Sequence, residues 1–532
     1  MRKVLSILSA ILMVPCVFSQ TNTIIKPEQG QSTYIVTGNV TLEAIESITL
    51  GPGTHIQSGS TFIARTFGSN PADHPYQSIT LSNENYILTR VYQKGMSSFS
   101  SGSAKEGDVM ESVVYYDGLG RPMQSIGIKS APDKKDLVTH AEYDASGRQE
   151  KEWLPYYTSS GSLGSYRGNV ASATQSYYKG NYAVDFPSLT GTNVNAYSQR
   201  EYESSPLNRV LKQAAPGEAW KLGNGHEIEF EYDANVTNEV RRFSVTLSFA
   251  NNTYTPTLVN NGYYAAGELY KNIVKDENHT SGTNHTTEEF TDKLGRVVLK
   301  RTHNNGDYDT YYVYDDYGNL TYVIPPKVTA DNVSSTELSE LCYQYKYDHR
   351  NRLVEKKIPG KGWEFIVYNT LDQPIMTQDA KQDAANEWLF TQYDAFGRVA
   401  YTGIDTGNSS ARNSVQTSAN GAANQYVSRT ASANTYAGTT VYYNYAYPTS
   451  FDQVYTIHYY DTYVDTDGLS VPSTVLGQST TGNAQGLPTV SKVRVLGTND
   501  WITTITGYDE KGRAIYTATK NNYLNTTQIV ES

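Results

Sequence analysis

Tyr116-Asp117-Gly118-Leu119-Gly120-Arg121 (YDGLGR) decides the fold, because the chain repeats this phrase along its length. Tyr-Asp-x-x-Gly-Arg returns unaltered at 143–148 (Tyr143, Asp144, Gly147, Arg148), at 393–398 (Tyr393, Asp394, Gly397, Arg398) and at 508–513 (Tyr508, Asp509, Gly512, Arg513). Chance at this composition gives on the order of 0.01 copies, so the phrase is an internal repeat. Looser copies stand at 291–296 (TDKLGR, with Gly295 and Arg296), 314–319 (YDDYGN, with Tyr314, Asp315 and Gly318), 347–352 (YDHRNR, with Tyr347, Asp348 and Asn351) and 368–373 (YNTLDQ). A copy two residues longer, YESSPLNR, occupies 202–209.

The variation explains the chemistry. Asp, or Asn at 369, accepts a bond from a backbone N–H two residues on and so opens a turn. The fifth position is Gly, Asn or Asp, the residues that tolerate positive φ. A turn followed by one left-handed residue closes a short hairpin. Period-two alternation flanks it, as in Tyr312 and Tyr314 before one turn and Val399-Ala400-Tyr401 after another. The unit is strand, turn, strand, and the steps from Tyr314 to Tyr347, Tyr368 and Tyr393 are 33, 21 and 25 residues. The phrase Tyr is expected to pack on the next repeat, and the phrase Arg to stack on a neighbouring Tyr or pair with a turn Asp.

The chain has 532 residues, 45 of them Tyr against 13 Phe, with frequent Gly and few helical runs. These features predict an all-β fold of repeated hairpins forming a curved, open sheet or partial hollow shell, with a small N-terminal β region. Arg2 and Lys3 before the apolar run 4–14, with Val17 and Ser19 beyond it, read as a signal peptide over 1–19 and a mature start at Gln20. The expected location is therefore secreted or at the cell surface; Pro15 fits poorly with a lipid anchor on Cys16. No later segment is long and apolar enough for a transmembrane span. With Cys342 alone remaining, no internal disulfide framework is expected. The net charge of −11 and the dispersed basic residues argue against nucleic acid as a partner.

Residues 20–90 lack the phrase. Their short alternating strands broken by Gly suit either a small β-solenoid or an irregular sandwich. The repeat region runs over 91–532, with a polar linker at 68–84 and a Ser- and Gly-rich stretch at 97–107. Residues 157–200 read as a polar insertion, and the low-complexity stretch 403–440 as a disordered loop. One short helix is expected within 331–341, where capping residues precede an apolar face.

Catalytic motifs do not emerge, and the chain is not expected to be an enzyme or to carry a cofactor or metal. Gly360-Lys361-Gly362 has the wrong spacing for a phosphate loop and reads as a hairpin turn. His279 and His285 want a third zinc ligand. Asp465-Thr466-Asp467-Gly468 resembles a calcium loop without its closing Glu. Asp315 and Asp316 point to opposite faces if they lie on a strand.

The phrases YDGLGRPMQSI, YDASGR, YDDYGNLTYVIPP, YDAFGR and YDEKGR resemble the YD repeats of the bacterial RHS family, relatives of insecticidal toxin-complex subunits and animal teneurins. The resemblance covers roughly 110–525, and 115–122 with 203–217 is similar to an exported form found in Bacteroidetes. It implies a hollow β-shell able to enclose a C-terminal toxin. The family's core motif with its autoproteolytic aspartates is not found here, so no catalytic residue carries over. The resemblance thus implies an exported, non-catalytic structural or interaction protein, the N-terminal part of such a shell, with a downstream RHS-core or toxin polypeptide as partner. The rival reading is an adhesin that binds surface glycans through exposed aromatics such as Trp363, Trp388 and Trp501. The sequence after Ala518 reads as a polar tail, which predicts an exposed strand edge near 500–520.

Overall fold

A computed structural model describes residues 23–26, 33–36, 39–44, 47–51, 53–57, 61–66, 76–93, 101, 104–158, 161–185, 189, 194–328 and 332–531. The signal peptide over 1–19, Cys16 and the start at Gln20 lie outside the described residues, as do 68–75 of the linker and 97–100 of the Ser- and Gly-rich stretch. Two compact units divide the chain: 1–230 with 276–280, and 231–275 with 281–532.

The first unit opens with six short strands that pair in parallel, each with the third strand after it. Thr23–Lys26 lies on Ser47–Leu50, Tyr34–Val36 on Thr54–Ile56, and Asn39–Ala44 on Thr61–Thr66. The offsets are 24 (47 − 23), 20 (54 − 34) and 22 (61 − 39) residues. Parallel neighbours at a near-constant offset form a coil whose second turn repeats the first; a sandwich of hairpins pairs antiparallel.

An antiparallel sheet follows in the order Tyr156–Thr158, Lys135–His140, Pro122–Ala131, Val109–Tyr116, Asn85–Tyr92. Its buried face carries Val113, Tyr115, Ile126, Ile128, Val138 and Tyr156. Against it packs α1 (Val170–Asn181) through Ala173 and Tyr177. This helix lies inside 157–200, which the sequence presents only as a polar insertion. The reason is its buried face, which holds Thr174 and Gln175 where an amphipathic pattern would put apolar residues. Gln175 is buried because its Oε1 accepts from the amides of Val194 and Ala196 at 2.9 and 3.2 Å.

The second unit is a meander. From Tyr270–Lys275 to Val399–Asp405 each strand pairs antiparallel with the next; the order then passes to Gln453–Asp461 and Ala484–Arg494, leaving two small hairpins outside it, and burial alternates as period two demands, for example along Thr286–Thr291 and Trp388–Tyr393. The unit's strands join in one hydrogen-bonded order that runs from Arg241–Ala250 to Thr526–Glu531. The fold is all-β, a long open sheet of hairpins with few short helices. The second unit has two apolar cores, one around Phe290, Leu299 and Tyr311, the other around Trp388, Phe390, Tyr401 and Tyr459. The expected helix is α2 (Ser335–Glu340), capped reciprocally by Ser334 and Glu337; α3 (Ala380–Ala385) has the same box from Asp379 and Gln382.

Two expectations fail. Residues 403–440 are ordered: they hold the end of Val399–Asp405, α4 (Arg412–Asn420) and the hairpin Arg429–Tyr436 with Thr439–Tyr443. Low apolar content hid this, but Val415 and Ala419 reach the core and Gln416 is anchored to backbone. The tail after Ala518 is no tail either. Ala514–Asn521 continues to a turn with Asn525 at φ 50°, and Thr526–Glu531 returns to pair with it along six residues. Thr, Ile and Val suit a strand despite its exposure. Trp501–Tyr508 is therefore flanked on both sides, and among the described residues Thr526–Glu531 is the outermost strand of the order.

Candidate functional site: the turn lattice

Each phrase builds the same turn. The Asp amide donates to the carbonyl of the sixth residue, and the amide of the fifth donates back to the Asp carbonyl, at 2.9 and 3.0 Å for Asp117 with Arg121 and Gly120. The Asp117 carboxylate uses Oδ1 to accept from the amides of Leu119 and Arg121, both at 2.9 Å, and Oδ2 to accept from Arg121 Nε at 2.7 Å. Asp144, Asp292, Asp348, Asp394 and Asp509 repeat this set with Arg148, Arg296, Arg352, Arg398 and Arg513. Positive φ falls on Gly120, Gly147, Gly295, Gly318, Asn351, Asp372, Gly397 and Gly512. The register slips by one residue at the phrase Tyr, as at Tyr116, Tyr314, Tyr347, Tyr393 and Tyr508, which marks a bulge after the turn.

The variants preserve the geometry. Asp315 pairs with Asn319 in place of Arg, Nδ2 to Oδ2 at 3.0 Å. At 369–373 the polarity reverses: Asn369 Oδ1 still takes the amides of Leu371 and Gln373, while its Nδ2 donates to Gln373 Oε1 at 2.7 Å. Glu203, in the longer copy, is brought down to about 2 by the Arg209 side chain and the Ser205 hydroxyl. Bonds from the Arg121 and Arg148 amides, with the guanidinium adding, hold Asp117 and Asp144 below the ordinary carboxylate range.

The phrase Tyr links one turn to the next. Its hydroxyl donates to the carbonyl of the residue just after the preceding phrase: in the first unit Tyr143 to Pro122 (2.9 Å) and Tyr202 to Gln149 (3.3 Å). In the second unit Tyr314 reaches Val297 (3.0 Å), Tyr347 Leu320 (2.8 Å), Tyr368 Leu353 (2.9 Å) and Tyr393 Pro374 (3.1 Å). Where the preceding phrase ends in Arg, its guanidinium lies over the same ring, at 4.4 Å for Arg121 on Tyr143 and 4.6 Å for Arg352 on Tyr368. Stacking and pairing with Asp thus act together on one Arg. Burial pushes Tyr347 up to about 12 and raises Tyr314, Tyr368 and Tyr393.

One member of this lattice escaped sequence reasoning. Tyr460 donates to Val399 at 3.2 Å beneath Arg398 at 4.2 Å, and Asp461 takes Arg398 Nη2 at 3.0 Å. The Tyr-Asp pair was the available signal, but no Gly-Arg follows it. A second cluster also needed the structure. At the end of the Phe290 core, Lys271 Nζ lies 2.7 Å from Glu239 and 2.9 Å from Glu288, Arg301 Nε 2.7 Å from Asp309, and His303 Nδ1 2.6 Å from Asp307. Glu239, Lys271 and Glu288 come from separate segments far apart in sequence, while Arg301 with Asp309 and His303 with Asp307 face each other across one hairpin.

The remaining candidates fall elsewhere. Lys492 Nζ sits 2.8 Å from Asp465 and 3.1 Å from Asp467, an ammonium between the two carboxylates. His279 and His285 belong to different units. Asp315 is buried and Asp316 exposed. Gly360 turns the chain at φ 70°, with Lys361 N bonded to Ile358 O. Trp388 is fully buried, and Trp363 and Trp501 are half-buried under Lys346 and Arg494, so the three form no exposed aromatic row. Among the described residues, no group of three or more His, Cys, Asp or Glu is placed to hold a metal ion, and no helix is long and apolar enough to cross a membrane.

Residues 88–234 match a family model described as a domain of unknown function, DUF6443. No curated protein matches the chain. Among solved structures it has a distant likeness to TcdB2-TccC3 without its hypervariable C-terminal region, at a TM-score of 0.38 and 14% identity over 80% of this chain and 21% of that one. TcdB2-TccC3-TEV gives 0.38 and 15% over 80% and 19%, and TcdB2-TccC3-Cdc42 gives 0.37 and 15% over 79% and 21%. The chain spans about a fifth of the length of these structures.

Proposed function

We propose that this chain is an exported, non-catalytic scaffold of the RHS type that encloses or presents a polypeptide effector. The observation that carries the reading is the turn lattice. The phrase Asp and Arg spend their hydrogen-bonding groups on their own turn and on the neighbouring Tyr, and that Tyr spends its hydroxyl on the turn before it. Side chains committed in this way specify the continuation of a sheet, which is the work of a scaffold. The basic start and apolar run of 1–19 support export. The partner is a polypeptide carrying further repeat hairpins, and the exposed strand Thr526–Glu531 offers it unpaired N–H and C=O groups. The test fuses a protease-sensitive reporter after Glu531. Digestion markedly slower than that of the free reporter is expected; an equal rate overturns enclosure.

A further inference from the structure

We propose that a cleft at the N-terminal end of α1 binds a hydroxylated carboxylate of monosaccharide size, a uronic acid. This site lies within the first unit and does not depend on the scaffold reading. The cleft has a volume of about 440 Å³ and is lined by Tyr156, Tyr166, Arg167, Asn169, Ser172 and Ser176, among others.

Three observations converge there. Asn169, at φ 48°, places no side-chain cap on the helix, so the amides of Val170, Ala171 and Ser172 lack an intrahelical acceptor at the positive end of the dipole. Tyr156 is 4% exposed, its ring packs 6.3 Å from Tyr177, and its hydroxyl has no hydrogen-bond partner among the described residues. Arg167 is 7% exposed and its Nε is buried without an acceptor, although Nη2 meets Asp136 Oδ2 at 2.7 Å and Nη1 is shared by the Ser162 carbonyl at 2.9 Å and the carbonyl and hydroxyl of Ser165. An idle hydroxyl beside free helix amides, with the buried Arg167 behind them, is a set of donors lacking an acceptor.

The charge balance selects the ligand. Asp136 is fully buried and already neutralises Arg167, so the field left over is the partial positive charge of the helix end, about +0.5. That matches a single carboxylate and leaves a phosphate dianion short of cations. The hydroxyls of Ser172, Ser176 and Tyr156 and the Asn169 amide suit a ligand with hydroxyls of its own, and the rings of Tyr156 and Tyr166 suit its flat faces.

Calorimetric titration of the full chain with glucuronate, glucose and sulfate tests this. Glucuronate should bind at least about tenfold more tightly than glucose or sulfate, the worth of a charge-assisted bond to a matched anion. Ser172→Glu places a carboxylate at the third helical position, where it favours the helix, so the variant should fold at least as well as the parent yet lose glucuronate binding by more than about tenfold. Tyr156→Phe keeps the ring packing and should weaken binding several-fold with an unchanged melting temperature. Equal affinity for glucuronate and glucose, sulfate as the tightest binder, or unaltered binding in Ser172→Glu overturns the proposal.

Discussion

At the residue scale, the phrase is a set of exchanges rather than a fixed word, and the exchanges predict which substitutions are tolerated. The fifth position needs positive φ: a Cβ on Gly120 meets nothing within 4 Å, so Gly120→Val isolates backbone strain from crowding. It should cost about 1–3 kcal/mol in chemical denaturation; equal midpoints for mutant and parent would remove the turn argument. At 369–373 the reversed pair makes a sharper case. Asn369→Asp sets a carboxylate against Gln373 Oε1 and the Gln425 carbonyl, both of which now accept from Nδ2. A loss of about 1–3 kcal/mol is expected, with Gln373→Arg restoring a good part of it because the pair then matches the other phrases. A double-mutant cycle measures that recovery.

At the scale of elements, the hairpins were legible in the sequence and the helices that pack on them largely were not. The reason is visible in three glutamines. Gln416 on α4 donates to the Tyr368 carbonyl at 2.7 Å and accepts from its amide at 3.0 Å. Gln124 does the same for Arg167, at 2.9 and 2.8 Å, and Gln392 for Ala446, both at 3.2 Å. A side-chain amide thereby takes the place of a missing strand neighbour and satisfies a backbone pair that would otherwise be buried alone. Insertions held by polar anchors carry no hydrophobic periodicity, so 157–200 and 403–440 look like loops. Gln416→Ala should cost about 2–3 kcal/mol, more than the methylenes alone explain, because it orphans a donor and an acceptor. Gln416→Leu, which keeps the volume, should rescue little; full rescue would assign the residue to packing.

For the whole molecule, the strand-turn-strand unit, the positive-φ turn residues and the all-β class followed from local chemistry, since a turn needs only six adjacent residues. The ion cluster around Glu288 and the partners of Tyr460 depend on which strands become neighbours, and that is not local. The same distinction governs the response to pH. His140 is buried against Trp153, ring centroids 4.7 Å apart, with neither ring nitrogen hydrogen-bonded. Burial lowers it to about 4, only partly offset by Glu142. Its ordinary value in an unfolded chain is about 6.5. Between those limits the unfolded chain binds the proton and the folded chain does not, so stability is fully present above about pH 6.5 and is lost as the pH falls toward 4. The loss should reach about 2 kcal/mol in the first unit, where His140, Trp153 and Tyr197 stack in series. His458, half-buried in the second unit and also lowered by desolvation, adds a separate decline there. His140→Phe keeps the stack and has no proton to bind. Denaturation of parent and variant at pH 7 and pH 4.5 should therefore show a smaller acid loss in the variant, confined to unfolding of the first unit. An identical acid loss in both chains would place the titrating group elsewhere.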